Sequence, residues 1–249
     1  MQRYFLTEDY KENQTYSLVA DDFHHAAHVM RMKVEEECFL VFNHQETIVA
    51  KVVDILEDSI LLKEVRKEAT QKEMPYAVSI ACGYTKGDKL ELVAQKGTEL
   101  GMSELIGFPS KTSVAKWDDK KLTKKVPRFE KIVKEAAEQS HRQTVPSIRL
   151  LSSQKEFIQL LATYDHILVA YEESAKSGET KSLVKTLQAV QPGETVLIIF
   201  GPEGGLRPEE ITLFEASGGI LCGLGPRILR AETAPLYALS AMSYQWELL

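Results

Sequence analysis

After residue 75 the chain alternates apolar runs with segments of helical period, and this alternation constrains the fold most strongly. "YAVSIAC", "SELIGFP", "DHILVAY", "TVLIIF" and "GILCGLG" read as strands. "DHILVAY" and "TVLIIF" are near-continuous apolar runs, as expected of strands buried on both faces. Helices lie between them. "DKLELVAQKGTELG" has Asp88 as cap, Glu91 three residues on and Gly101 as stop. "VPRFEKIVKEAAEQSHRQ" places Phe129, Ile132, Val133, Ala136 and Ala137 on one apolar face. "RPEEITLFEAS" opens on Pro208, and "APLYALSAMSYQWELL" opens on Pro235. Such alternation gives an α/β fold with a parallel sheet.

Residues 1–70 follow another pattern. "ECFLVF", "TIVAKVVDI" and "SILLKEV", separated by polar turns, suggest a small antiparallel barrel or sheet. One short helix fits "DDFHHAAHVMRM", with Asp21 or Asp22 as N-cap. The charged stretch "RKEATQKEMP", residues 66–75, reads as a linker, which gives domains 1–70 and 71–249.

Composition narrows the function classes. No apolar run reaches the length of a membrane span, and "MQRYFLTEDYKENQ" is too polar for a signal peptide. Cys38, Cys82 and Cys222 are scattered and odd in number, so they form no disulfide framework or metal spacing, and a reducing cytoplasm is expected. His24 and His28 stand one helical turn apart without a Glu or Cys ligand beside them, so no metal is expected. Trp117 and Trp246 read as packing residues. The net charge of -6 argues against a general nucleic-acid binder. Locally the balance reverses: from Lys111 to Lys134 there are nine basic residues and three acids. That run is either a solvated, salt-laced helix or a polyanion-binding patch.

Ligands of open parallel sheets bind beyond the carboxyl ends of the strands. Three such ends carry special residues: "VAYEES" (169–174), "FGPEGGL" (200–206) and "LGPRILRAETAP" (224–235). "GPEGGL" is not a phosphate cradle. The spacing from Gly201 does not fit a dinucleotide fingerprint, and no Lys-Ser/Thr pair follows. Pro202 lacks an N–H donor, and Glu203 puts a negative charge where a phosphate would sit. The loop suits a ligand without phosphate that the backbone approaches closely. The third loop is long for a crossover and carries charge beside buried strands.

"QKGTELG" (95–101), "EAAEQSHR" (135–142), "GPEGGL" and "LGPRILRAETAPLYALSAMSYQ" occur in an order and spacing that resembles the ribosomal RNA small-subunit methyltransferase E family, within the knotted SPOUT methyltransferases. "HHAAHVMRM" and the β-rich start extend the resemblance to that family's N-terminal PUA-like barrel domain. The resemblance implies methylation of N3 of one uridine in 16S rRNA near the decoding centre, with S-adenosylmethionine as cofactor. It also implies a homodimer formed through the C-terminal domain and a C-terminal trefoil knot that holds the cofactor. The rival is a non-catalytic RNA-binding ribosome assembly factor on the same fold, which would not need both cofactor loops.

Carried over residue by residue, the cofactor loops fall on Ala170 and Tyr171, on Phe200, Gly201, Pro202, Glu203, Gly204 and Gly205, and on Leu224, Gly225, Pro226, Arg227, Ile228, Leu229 and Ala231. Leu224, Ile228 and Leu229 would cover the adenine faces. Glu203 would bind a ribose hydroxyl or brace the loop. Arg230 and Glu232 are the catalytic candidates, as a cation for a uracil oxygen and as a base for the N3 proton. An internal ion pair between them is the competing role. Arg227 is a candidate for rRNA phosphate or for the cofactor tail. The RNA-binding candidates are Arg3, Arg31, Lys33, Lys96, Lys116, Lys120, Lys121, Lys124, Lys125 and Arg142. Lys96 reads equally as a surface residue, and Arg142 as a cation at a helix end. Arg207 departs from the family pattern, in which many relatives carry a small polar residue there, and leaves the start of the next helix open.

Overall fold

The computed structural model describes residues 1–172 and 181–249. Glu173 and Ser174 of "VAYEES" lie outside the described residues. The chain forms two compact units: Met1–Glu73 with Glu138–Thr144, and Met74–Ala137 with Val145–Leu249.

The first unit is a five-stranded sheet of β1 (Arg3–Phe5), β2 (Thr15–Val19), β3 (Glu37–Val41), β4 (Thr47–Ile55) and β5 (Ser59–Lys67), in the order β1-β3-β4-β5-β2. Only the β1–β3 pairing is parallel. In β2, Tyr16 and Leu18 point inward while Thr15, Ser17 and Val19 face out, as the period of a strand requires. Register shifts at Val49/Ala50 and Val52/Asp54 bend β4 against β5, and the sheet curls around Tyr4, Tyr16, Leu40, Ile48 and Ile60. The helix α1 (Ala20–His24) runs on into a π-type turn, His25–Val29. Its N-cap is Val19, not Asp21 or Asp22. Both aspartates sit in the first turn, where negative charge suits the helix dipole.

The second unit is a six-stranded sheet of β6 (Ala77–Gly83), β7 (Glu104–Phe108), β8 (Ser147–Leu150), β9 (His166–Ala170), β10 (Thr195–Phe200) and β11 (Gly219–Cys222), in the order β11-β9-β10-β6-β7-β8. Every pairing is parallel. Its described helices are α2 (Lys89–Glu99), α3 (Asp119–Gln139, which reaches into the first unit's segment), α4 (Gln154–Leu161), α5 (Ser182–Ala189), α6 (Pro208–Ala216) and α7 (Thr233–Ser243), with a π-type turn Tyr244–Leu248 after the last. β10 lies between β9 and β6, and Val196 through Phe200 are buried. Two apolar layers flank the sheet. One holds Val78, Ile80, Val93, Leu105 and Phe129, the other Ile106, Phe108, Phe157 and Phe214. Among the described residues, no helix is long and apolar enough to cross a membrane.

Two helix starts in this unit, those of α3 and α7, differ from expectation, and α2 starts as expected but without its capping bonds. α3 begins at Asp119 rather than Val126, so the basic run forms its first turns. Pro127 lies inside it, and Thr123, whose carbonyl loses a partner N–H, is exposed to water. Asp88 is the N-cap of α2 but makes no side-chain capping bond. Glu91 does not close a capping box; it pairs with Arg128 at 2.6 Å and Lys125 at 3.9 Å. α7 has Glu232 at its N-cap, which puts Pro235 inside the first turn.

Candidate functional site

Three loops beyond the carboxyl ends of β9, β10 and β11 enclose a pocket of about 600 Å³, a volume ordinary for a small-molecule site. Parallel strands deliver those loops to one edge of the sheet. Ala170 and Tyr171, Phe200 to Gly205, Leu224, Gly225 and Arg227 to Glu232 line it. Pro226 is exposed and does not line it. Lys89, Glu172, Leu206 and Ala234 complete the wall.

Glycine is demanded at two positions. A Cβ on Gly201 would lie 2.7 Å from the Gly205 carbonyl carbon, so the loop folds back on itself only without one. Gly225 has φ +90, which strains any L side chain. The same β10 loop is braced from below by Glu210, fully buried in the first turn of α6. Its carboxylate accepts bonds from the Arg207 N–H (3.0 Å), the Lys111 N–H (3.0 Å), Ser110 Oγ (3.1 Å) and Gln154 Nε2 (3.1 Å). The start of α6 is thereby settled. Arg207 is an extended N-cap whose own side chain does not cap, and Glu210 satisfies its N–H.

The charged wall centres on Lys89, in the first turn of α2. Its Nζ donates to Glu203 Oε1 at 2.8 Å and lies 3.8 Å from Glu232 Oε2. The bond to Glu203 raises the Lys89 pKa, so the ammonium is kept. Partial burial pulls the Glu203 carboxyl upward, but Lys89 and the Lys86 N–H outweigh this and hold it below the usual carboxylate range. Glu203 therefore braces the loop against α2. Glu232 Oε2 is buried and has no hydrogen-bond partner among the described residues. The competing role, an Arg230–Glu232 ion pair, does not form; Glu232 faces Lys89, and Arg230 is exposed with no ion pair among the described residues. Lys89 was missed from sequence because it sits beyond a fourth strand end, "GYTKGDK" after β6, which carries no glycine pair or proline-arginine signal.

The RNA-binding candidates divide. Arg31, Lys33, Lys116, Lys120, Lys121 and Lys124 are exposed. Arg3 is not: its side chain is 0% exposed, pairs with Glu68 at 2.8 Å and stacks on Phe39. Arg142 is likewise buried and bound to Glu73, whose carboxylate also accepts the Gln143 and Thr144 N–H groups. Two guanidiniums so occupied are not presented to a phosphate. Lys96 pairs with Glu99 at 2.8 Å on α2. Lys125 is half-buried, with Nζ 4.5 Å from the Trp117 ring. Trp117 packs on Tyr84 at 4.2 Å, and Trp246 Nε1 donates to the Leu187 carbonyl.

Residues 72–243 match the family model of an RNA methyltransferase domain, and residues 20–65 that of an RNA methyltransferase PUA domain. Over its whole length the chain is 42% identical to the ribosomal RNA small subunit methyltransferase E of Bacillus subtilis, covering 98% of that protein. The chain belongs to the ribosomal RNA small subunit methyltransferase E family. The family member of Synechocystis is 29% identical, covering 92% of this chain and 73% of its own. The crystal structure of the Neisseria gonorrhoeae family member bound to S-adenosyl methionine superposes with a TM-score of 0.84, at 25% identity, covering 99% of this chain and 98% of that one. A Legionella pneumophila protein solved with the cofactor SAM gives 0.83 at 27% identity, covering 97% and 96%. Membership of this RNA methyltransferase family accounts for the pairing of a PUA domain with the parallel-sheet unit.

Proposed function

We propose that the chain methylates N3 of a uridine in 16S rRNA, near the decoding centre of the small ribosomal subunit, with S-adenosylmethionine as methyl donor. The observation that carries this is the pocket: the three loops carried over from the family, apart by tens of residues in sequence, line one cavity. The residues suit this cofactor. Gly201 and Gly225 let the two loops take the tight backbone paths that shape the pocket, Leu224 and Ile228 offer apolar cover, and Glu232 presents a buried carboxylate oxygen. The cofactor supplies a methyl group already activated on a sulfonium.

The chain must then align the acceptor and manage its proton. Arg230, exposed at the pocket wall, places a guanidinium that can fork onto a uracil oxygen as N3 loses its proton. Glu232 is the candidate to accept that proton, directly or through water. Its carboxylate is held near Lys89 rather than tied to Arg230, so the two side chains are free to act separately. RNA would be gripped by the exposed lysines at the start of α3 and by Arg31 and Lys33 of the PUA-like unit. The working form is a homodimer in the cytoplasm, with the β9, β10 and β11 loops threaded as a trefoil knot. The domains are a PUA-like RNA-binding unit, residues 1–70, and a methyltransferase unit, residues 71–249.

Reverse transcription of 16S rRNA tests the reading. A methyl on N3 blocks the Watson–Crick edge, so a stop should be present with the protein and absent in a strain lacking it. No difference between the strains would refute it. A non-catalytic assembly factor would also give no heat with S-adenosylhomocysteine in calorimetry.

A further inference from the structure

Lys89 bridges two pocket walls. It rises from the first turn of α2, bonds Glu203 in the loop after β10 at 2.8 Å and faces Glu232, the N-cap of α7, at 3.8 Å. Among the described residues the pocket is lined by Lys89, Arg227 and Arg230 against Glu172, Glu203 and Glu232. Among these described residues the formal charges cancel. Arg227 and Arg230 are exposed, whereas Glu232 is largely buried, and among the described residues Lys89 is the cation within ion-pair distance of its carboxylate, at 3.8 Å.

Resting on the pocket being the S-adenosylmethionine site, we propose that Lys89 is a specificity-determining residue that sets how strongly the pocket favours the cationic methyl donor over its neutral product. S-adenosylmethionine and S-adenosylhomocysteine differ by one methyl group and one positive charge on sulfur. Shape separates them weakly; the electrostatic potential of the wall separates them by sign. With Lys89 in place, the described wall has three cations against three carboxylates. Without it, the described wall has two cations against three carboxylates, and the donor is preferred more strongly. A neutral wall also avoids repelling an RNA acceptor, which a strongly cation-selective pocket would do. Lys89 thus balances the needs of a cationic donor and a polyanionic substrate.

Calorimetry with the full-length protein, S-adenosylmethionine and S-adenosylhomocysteine tests this without catalysis. In Lys89→Met, the ratio of the two dissociation constants should shift toward the donor by about three- to tenfold at low salt, the size expected of one partly screened unit charge. The shift should shrink at about 0.5 M salt, where screening acts within a few ångströms. Lys89→Arg should restore the wild-type ratio. Glu203→Gln should move the ratio the other way, and it decides the matter if Lys89→Met fails to fold. An unchanged ratio in variants that bind both ligands overturns the proposal, as does equal weakening of both, which would mark Lys89 as a mere loop brace. Wild-type protein that binds neither ligand would instead overturn the assignment of the pocket.

Discussion

At the scale of single residues, the pocket separates two side chains for which sequence left a mutual ion pair open. Arg230 is exposed and unpaired among the described residues, so its removal should leave the loops in place. Arg230→Ala is expected to lower the single-turnover methylation rate about a hundred- to thousandfold, equivalent to about 2.7–4 kcal/mol, with cofactor affinity little changed. Near wild-type turnover would move the cation elsewhere, with Arg227 next in line. Glu232→Gln keeps the shape; if Glu232 takes the N3 proton, the rate should collapse and recover partly as pH rises and uracil ionises unaided. A different prediction concerns Glu73 and Arg142. Burial alone would raise the Glu73 carboxyl, but the Arg142 guanidinium and the Thr144 and Gln143 donors hold it below its ordinary range. A depressed carboxylate contributes stability that is present above the unfolded value, about 4.3, and is lost as pH falls through the folded one. Glu73→Ala, which strands a buried guanidinium, should cost about 3–5 kcal/mol near neutrality. The gap between wild-type and variant melting temperatures should close as pH drops from about 5. A gap constant down to acid would show that the pair does not titrate with folding. Residue identity made Arg3 and Arg142 plausible RNA contacts; only burial, which depends on distant Glu68 and Glu73, removed them.

At the scale of elements, the long runs were legible and the starts were not. β6, β7, β9 and β10 follow from apolar stretches, because a strand covered on both faces tolerates little else, whereas β11 is an edge strand, with Ile220 exposed, that is legible from its short apolar run alone. β8 was invisible: Ser147–Leu150 is a half-exposed edge strand with no such run. Pro127 signals a helix opening, yet the turns of α3 before it are helical. The cofactor loops were found from their glycines and charges, but their convergence depends on strand order, with β9 inserted between β10 and β11. The α3 start also sharpens the RNA surface. Lys125 covers Trp117 and belongs to the packing, whereas Lys120, Lys121 and Lys124 are exposed. Replacing those three with Ala should weaken binding of an rRNA fragment. The slope of log affinity against log salt should fall by up to about 0.7–0.9 for each phosphate that is no longer neutralised. Cofactor affinity should not move. An unaltered slope in the triple variant would place the phosphate-binding residues on other elements.

At the scale of the whole molecule, the last helix has more apolar surface than its own unit uses. Ala238, Leu239 and Met242 of α7 are buried against the sheet layer. On other sides Tyr237 (41%) and Tyr244 (56%) are exposed, and the chain ends in Leu248 and Leu249, at 73% and 79%. A helix apolar on several sides buries against more than one neighbour, and clustered exposed apolar residues mark association surfaces. The occupant we predict is a second copy of this chain, so that sedimentation should give twice the 28.0 kDa monomer mass at micromolar concentration. A symmetric contact presents each residue twice, so one added charge is doubled at the interface. Tyr244→Glu should therefore yield monomers with unchanged far-ultraviolet dichroism. The same helix carries Tyr237, whose hydroxyl lies 3.7 Å from where a Cβ on Gly225 would sit, so the association face borders the pocket loop. Dissociation should consequently weaken S-adenosylhomocysteine binding as well, read by calorimetry on the same variant. Wild-type protein that sediments as a monomer would refute the dimer, and a monomeric variant that binds the ligand as tightly as wild type would show that each pocket is complete within one chain.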